Sequence, residues 1–255
     1  MHAGELATRL DAELAVDAYA DVDASPNGLQ VGPADRNVDR VALAVDAAAE
    51  TIDRASDAGA DLLLTHHGIV WGSVERVTGT TYDRVAPLIE DGLALYVAHL
   101  PLDGHQTLGN AAGVADRLGL DDREPFGAIG SEHIGQRGTL PESTPLSDLT
   151  GTLESSLDTG GRAVRTLDFG PESVDDVAIV TGSGADWVGE ADESDADVLV
   201  TGEGKQQVYH EAREAGINVV LAGHYATETF GIQSVGSLLE EWGVETTFID
   251  CPTGL

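Results

Sequence analysis

"VDRVALAVDAAAETIDRASDAGADLLLTHHG", residues 38–68, has a second copy in the same chain. Residues 174–204, "VDDVAIVTGSGADWVGEADESDADVLVTGEG", align onto it without a gap, and Val41/Val177, Asp61/Asp197, Thr65/Thr201 and Gly68/Gly204 are identical. Each copy reads as a short apolar strand ("VALAV", "VAIVT"), a helix-like stretch, and a second strand ("DLLLT", "DVLVT") that ends at a polar dipeptide. That is a β-α-β unit. Alternating strands and helices can generate such likeness by chance, but ungapped agreement over the whole segment favours duplication.

The likeness continues downstream. "DGLALYVAHLPLD" (91–103) resembles "AGINVVLAGHYATE" (215–228), and in each a carboxylate follows a histidine by four residues: His99 to Asp103, His224 to Glu228. The expectation is an α/β fold of mixed α+β character, with two similar halves from an internal duplication, each a sheet packed with helices. The first half is assigned to residues 1–123. Residues 124–255 hold a connecting region, irregular and Gly/Ser/Thr-rich over about 124–173 with a few strand-like pieces, and then the second half.

Forty-five acidic residues oppose thirteen basic ones, a net charge of −32, and Lys205 is the single lysine. Ordinary apolar content and persistent periodicity argue against disorder. Acid spread over a folded surface with lysine all but eliminated points to a halophilic source, where molar salt shortens the Debye length to about 3 Å and screens the self-repulsion. A nucleic-acid-binding surface is excluded for want of clustered lysine and arginine. The lone Cys251 excludes a disulfide framework, no stretch reaches the length of a membrane span, and "MHAGELATRLDAEL" reads as an amphipathic helix and not a signal peptide. The expected location is the cytoplasm.

In α/β sheets ligands collect at the carboxyl ends of strands. His66 and His67, Asp103, Glu203, and His224 with Glu228 all fall there. Paired histidines at a strand end can be a merely hydrogen-bonded pair, an H-x-x-x-E spacing carries little alone, and a terminal aspartate is often a cap. Together, however, three histidines and two carboxylates form the mixed N/O set that suits zinc, manganese or ferrous iron. Five ligands exceed one tetrahedral site and suit two divalent ions sharing a carboxylate. Such a pair, about 3.5 to 4 Å apart, can bridge a hydroxide and drive hydrolysis. Glu203 is a candidate general acid/base or substrate-positioning group, and Lys205 in "TGEGK" a candidate contact for a substrate anion; residual drift explains that lysine equally well.

"NGLQVG" (27–32), "LLLTHHG", "AHLPLD", "GADWVGEADESDADVLVTGEGK" and "GHYATETFG" resemble, in order and over nearly the whole chain, the Nif-three-like dinuclear metal-centre family, whose members bear the name GTP cyclohydrolase 1 type 2 homologue. The resemblance implies a dinuclear site with ligands His66, His67, Asp103, His224 and Glu228. It also implies two intertwined α/β halves and a ring-shaped homohexamer with metal sites facing an interior cavity. Many relatives carry a histidine soon after the lysine, where this chain has Gln206 and Gln207; the nearest is His210. The long inserted domain of some relatives is absent. "NGLQVG" is either a loop that closes over the site or a turn shaped by Gly28 and Gly32, His99 either an orienting residue or a buried histidine, and Trp71, Trp187 and Trp242 read as core or interface.

The function these features imply is a metal-dependent hydrolase acting on a small molecule, in the family's terms opening the purine ring of GTP with release of formate. No Walker-type loop is present, and a triphosphate would meet an adverse field unless metals and local arginines offset it. The alternatives are a dinuclear peptidase or phosphohydrolase, and a non-catalytic metal-binding adaptor.

Overall fold

The computed structural model describes all 255 residues. Eleven strands run in chain order: β1 (Gly28–Val31), β2 (Arg40–Asp46), β3 (Leu62–His67), β4 (Ala94–Val97), β5 (Asp121–Ile129), β6 (Glu132–Pro145), β7 (Arg165–Asp168), β8 (Ser173–Ile179), β9 (Val198–Thr201), β10 (Asn218–Leu221) and β11 (Glu245–Phe248). The helices are α1 (Ala3–Glu13), α2 (Ala49–Asp57), α3 (Thr80–Glu90), α4 (Leu100–Gly104), α5 (Asn110–Leu118), α6 (Leu146–Ser156), α7 (Val188–Glu193), α8 (Val208–Ala215), α9 (His224–Thr227) and α10 (Thr229–Glu241). They form two compact units, Met1–Leu102 with Ile232–Cys251, and Asp103–Gly231 with Pro252–Leu255.

The first unit holds a five-stranded sheet in the order β1-β4-β3-β2-β11, parallel except for β1, which pairs antiparallel with β4 at the edge. The inner strands β2, β3 and β4 carry near-continuous buried apolar runs because both faces are covered there. On one face Ala42, Ala44, Leu63, Leu95 and Val97 pack with Ile52 and Ala55 of α2 and Leu88 of α3. On the other α10 lies close against β2, where a Cβ at Gly236 would come within 2.5 Å of Leu43 Cδ1. The amphipathic N-terminal helix is present as α1, with Leu6 and Leu10 buried.

The second unit holds a six-stranded sheet in the order β5-β6-β8-β9-β10-β7. Strands β8, β9 and β10 are parallel, while β7 and the β5–β6 hairpin are antiparallel additions at the two edges. Leu149 and Leu153 of α6 and Val114 and Ala115 of α5 pack on Val177, Val198, Val200 and Val220. The apolar face of α5 therefore belongs to this unit's core. Residues 124–173, read as an irregular connection with a few strand-like pieces, hold the rest of the β5–β6 hairpin, α6 and β7 and are more regular than that reading. The apolar pattern there is weak because five consecutive residues of β5 are exposed, leaving little alternation to read.

The duplication is visible in individual bonds. Asp61 Oδ2 accepts from the backbone N–H of Asp39 and Arg40 at 3.0 and 3.1 Å, and Asp197 Oδ2 accepts from Asp175 and Asp176 at 2.8 and 3.1 Å. The strand registers match as well, Val41 opposite Leu62 and Val177 opposite Val198. Each copy thus uses one aspartate at a strand entry to tie two strands together. No helix is long and apolar enough to cross a membrane.

Candidate metal centre

In the first unit β3 delivers His66 and His67 at its carboxyl end, and His99 follows β4 in the neighbouring position. The three rings gather with centroids 4.6, 5.0 and 5.6 Å apart, and each can offer one nitrogen to a common point. Every ring is held by Nδ1. His66 Nδ1 lies 3.0 Å from the Ala98 carbonyl oxygen, His67 Nδ1 2.9 Å from Asp46 Oδ1, and His99 Nδ1 2.8 Å from Asp23 Oδ1. An oxygen acceptor at Nδ1 fixes the proton there, so the lone pair is carried by Nε2, the arrangement that orients imidazoles for metal ligation.

Asp23 is the most heavily used of these supports. Its side chain is 1 % exposed, and besides His99 it accepts from Ser25 N at 2.8 Å, Asn27 Nδ2 at 2.8 Å and Leu100 N at 3.0 Å. Burial pushes its carboxyl up, but His99 and the other donors outweigh that and hold it below the ordinary aspartate range. Sequence reasoning missed both Asp23 and Asp46. The signal for the first was "DASPNG", an aspartate opening an Asx-type turn two residues before the backbone N–H it accepts from; Asp46 had only its position at the end of β2.

In the second unit His224 opens α9 after Gly223, and its Nδ1 lies 3.0 Å from Glu203 Oε1, repeating the pattern of the first unit. Its Nε2 lies 3.1 Å from Glu228 Oε1. Glu228 is 3 % exposed and Asp103 7 %, and one oxygen of each lies within 4.8 Å of the other. Burial disfavours the imidazolium of His224, but Glu228 and Glu203 overcome this and push its pKa up to about 9. Carboxylates thus flank both nitrogens of the ring. Space for the Glu228 contact is kept by Gly182, at φ +59°, where a Cβ would collide with Glu228 Oε1. Asp103 is anchored through Oδ1 by Asn110 Nδ2 at 2.8 Å and Thr181 Oγ1 at 3.1 Å, and Asn110 Oδ1 in turn accepts from Gly231 N. Imidazole nitrogens with buried carboxylates fit a zinc-, iron- or manganese-type ion in their donor chemistry.

Glu203 accepts from Ser183 Oγ at 2.7 Å as well as from His224. The Ser183 hydroxyl and the His224 ring hold its carboxyl below the ordinary range, so it is an anion that orients His224. Lys205 is exposed and its Nζ sits 2.5 Å from Asp186 Oδ2. "NGLQVG" is edge strand β1 and its approach, with Asn27 Oδ1 accepting from His99 N and Gln30 Oε1 from Ile69 N. Trp71, expected in a core or interface, is 49 % exposed and stands edge-on to His99 at 5.0 Å.

A family model described as Duf34/NIF3 (NGG1p interacting factor 3) matches residues 1–253. The chain is 55 % identical over 255 residues, the whole of both proteins, to the GTP cyclohydrolase 1 type 2 homolog of Halobacterium salinarum. Among solved structures it matches TTHA1606 from Thermus thermophilus at TM-score 0.88 and 38 % identity, and the protein ybgI, of unknown function, at TM-score 0.91 and 34 % identity; in both matches the whole of each chain is covered.

Proposed function

Because the chain belongs to the Duf34/NIF3 family, we propose that it is a dinuclear metal-binding protein and a metal-dependent hydrolase, with His66, His67, Asp103, His224 and Glu228 as ligands of two zinc, iron or manganese ions. The observation that carries this reading is the shared fixing of the histidines: His66, His67 and His224 each present Nδ1 to an oxygen, which directs Nε2 to a ligand. Supporting it, Glu228 and Asp103 are carboxylates kept in place though buried, where an uncompensated charge is costly.

When bound, the ions supply Lewis acidity and lower the pKa of a water towards neutrality. The chain's own residues do the rest. Glu203, with Ser183 behind it, keeps the His224 ring oriented, Asn110 and Thr181 fix Asp103, and Asp46 holds His67. The reaction we assign is that in the name of its relatives, hydrolytic opening of the imidazole ring of GTP, one water opening the ring and a second releasing formate. A homohexamer in the cytoplasm is part of the same proposal. The test is formate release from GTP by metal-loaded protein in molar KCl: turnover abolished in His66→Ala supports the reading, and no turnover by the metal-loaded wild type refutes the assigned reaction.

A further inference from the structure

Trp71 follows the paired histidines in "HHGIVW", and none of the roles above uses it. The other two tryptophans have partners: Trp187 donates Nε1–H to Ala128 O at 3.2 Å, and the Arg9 guanidinium lies 3.9 Å over the Trp242 ring. Both are partly buried. Trp71 is 49 % exposed, its indole N–H has no acceptor in the chain, and its ring neighbours are His99 and His67, at centroid distances of 5.0 and 6.1 Å.

Exposure alone would say little, because single apolar residues are common on protein surfaces. What sets Trp71 apart is how firmly its backbone is held. On one side Gln30 Oε1 accepts from Ile69 N at 3.2 Å and from Val70 N at 3.4 Å, and on the other Gly72 N donates to Ala24 O at 2.7 Å. Gly68 lets Gln30 lie this close, since a Cβ there would come within 2.6 Å of Gln30 Nε2. The anchoring stretch is the one that fixes His99, through Asp23 at Nδ1 and Asn27 at the backbone N–H. Residues 23–30 thus set indole and imidazole against each other. The rings meet at 84°, an edge contact that steadies the indole and leaves half of it open.

We propose that Trp71 is a substrate-contacting residue of the metal centre, whose open indole surface stacks on a planar group of the substrate and holds that group beside His67 and His99. Stacking on an indole rewards any flat π surface and gives nothing to a saturated chain or a bare phosphate. The contact therefore discriminates by ring, and a peptide bearing aliphatic side chains or a simple phosphoester would forgo it. The proposal deepens the functional reading above and rests on it for placing a metal centre at these histidines.

The test is titration of the metal-loaded full chain in molar KCl with GMP and with ribose 5-phosphate, which lacks the ring, followed by tryptophan fluorescence and by calorimetry. It is run on wild type, Trp71→Phe, Trp71→Ala and Trp242→Phe, with metal content, circular dichroism and sedimentation measured on each. GMP is expected to quench wild type and Trp242→Phe but not Trp71→Phe, and ribose 5-phosphate to quench none. By calorimetry Trp71→Ala should bind GMP roughly tenfold more weakly, Trp71→Phe should recover most of that loss, and ribose 5-phosphate should bind all four chains alike. Metal content, fold and assembly should match wild type throughout. A quench that persists in Trp71→Phe, unchanged GMP affinity in a folded Trp71→Ala, or an altered assembly with GMP affinity intact overturns the proposal. The two readings fail separately. GMP binding through Trp71 with no formate from GTP leaves this contact standing and removes the assigned reaction, while formate release by Trp71→Ala at the wild-type KM leaves the reaction and removes the contact.

Discussion

Replacing Asp23 by alanine removes the acceptor from four donors at once: Ser25 N, Asn27 Nδ2, His99 Nδ1 and Leu100 N, all between 2.8 and 3.0 Å. A hydrogen bond to a charged acceptor contributes about 1.5–3 kcal/mol, but the four are not additive. Ser25 and Asn27 lie on a loop that can relax towards water. Breaking a buried charged pair by deleting one partner costs about 3–5 kcal/mol, which we take as the expected loss. At ~2–4 °C per kcal/mol for a chain of this size, the melting temperature should fall by roughly 10 °C. The assay is thermal unfolding followed by circular dichroism in molar KCl across pH. The folded pKa of Asp23 is depressed below its ordinary value of 3.8, so its contribution is complete above that pH and is lost as pH falls through the folded value. Asp23→Ala should therefore be less stable than wild type at neutral pH and approach it in acid. A fall under about 2 °C at neutral pH would refute the assignment of Asp23 as the anchor of His99.

Three further outcomes follow from other parts of the molecule. Gly113 in α5 faces Phe230 so closely that a Cβ would collide with the ring, and Gly113→Ala should cost about 1–3 kcal/mol by overpacking, read as a lowered denaturation midpoint. Tyr96 is fully buried with its hydroxyl donating to Asp11 Oδ1 at 2.8 Å; burial and Asp11 hold its pKa far above the ordinary tyrosine value, so the unfolded state alone ionises, and stability should drop as pH rises past about 10 in wild type but less in Tyr96→Phe. With 45 acidic and 13 basic residues, the chain should unfold as KCl is lowered to the millimolar range, and full stability there would contradict a halophilic adaptation.

The parts of the fold legible in sequence were those written twice. The repeat gave the β-α-β units, the strand ends that carry His66, His67, Glu203 and His224, and Asp61 and Asp197 as equivalent positions. The β5–β6 hairpin was illegible because its outward residues interrupt the apolar alternation. At the candidate site the residue types of the ligands stood out, but the acceptors that orient them did not. Asp23 and His99 are 76 residues apart, and Asp46 and His67 are 21 apart; only the folded chain pairs them. Lys205 stood out as the only lysine, yet it reaches the surface carboxylate of Asp186, while Trp71, read from sequence as core or interface, stands exposed beside His99.

The central claim is that two divalent ions are held by histidines oriented through Nδ1 and by the buried carboxylates Asp103 and Glu228. Its most direct test is elemental analysis of untagged protein by mass spectrometry, on wild type and on His66→Ala and Glu228→Gln that retain wild-type circular dichroism. The account predicts about two ions of zinc, iron or manganese per chain in wild type, with fewer in each variant. Protein that retains no metal, or variants that hold as much metal as wild type, would contradict it.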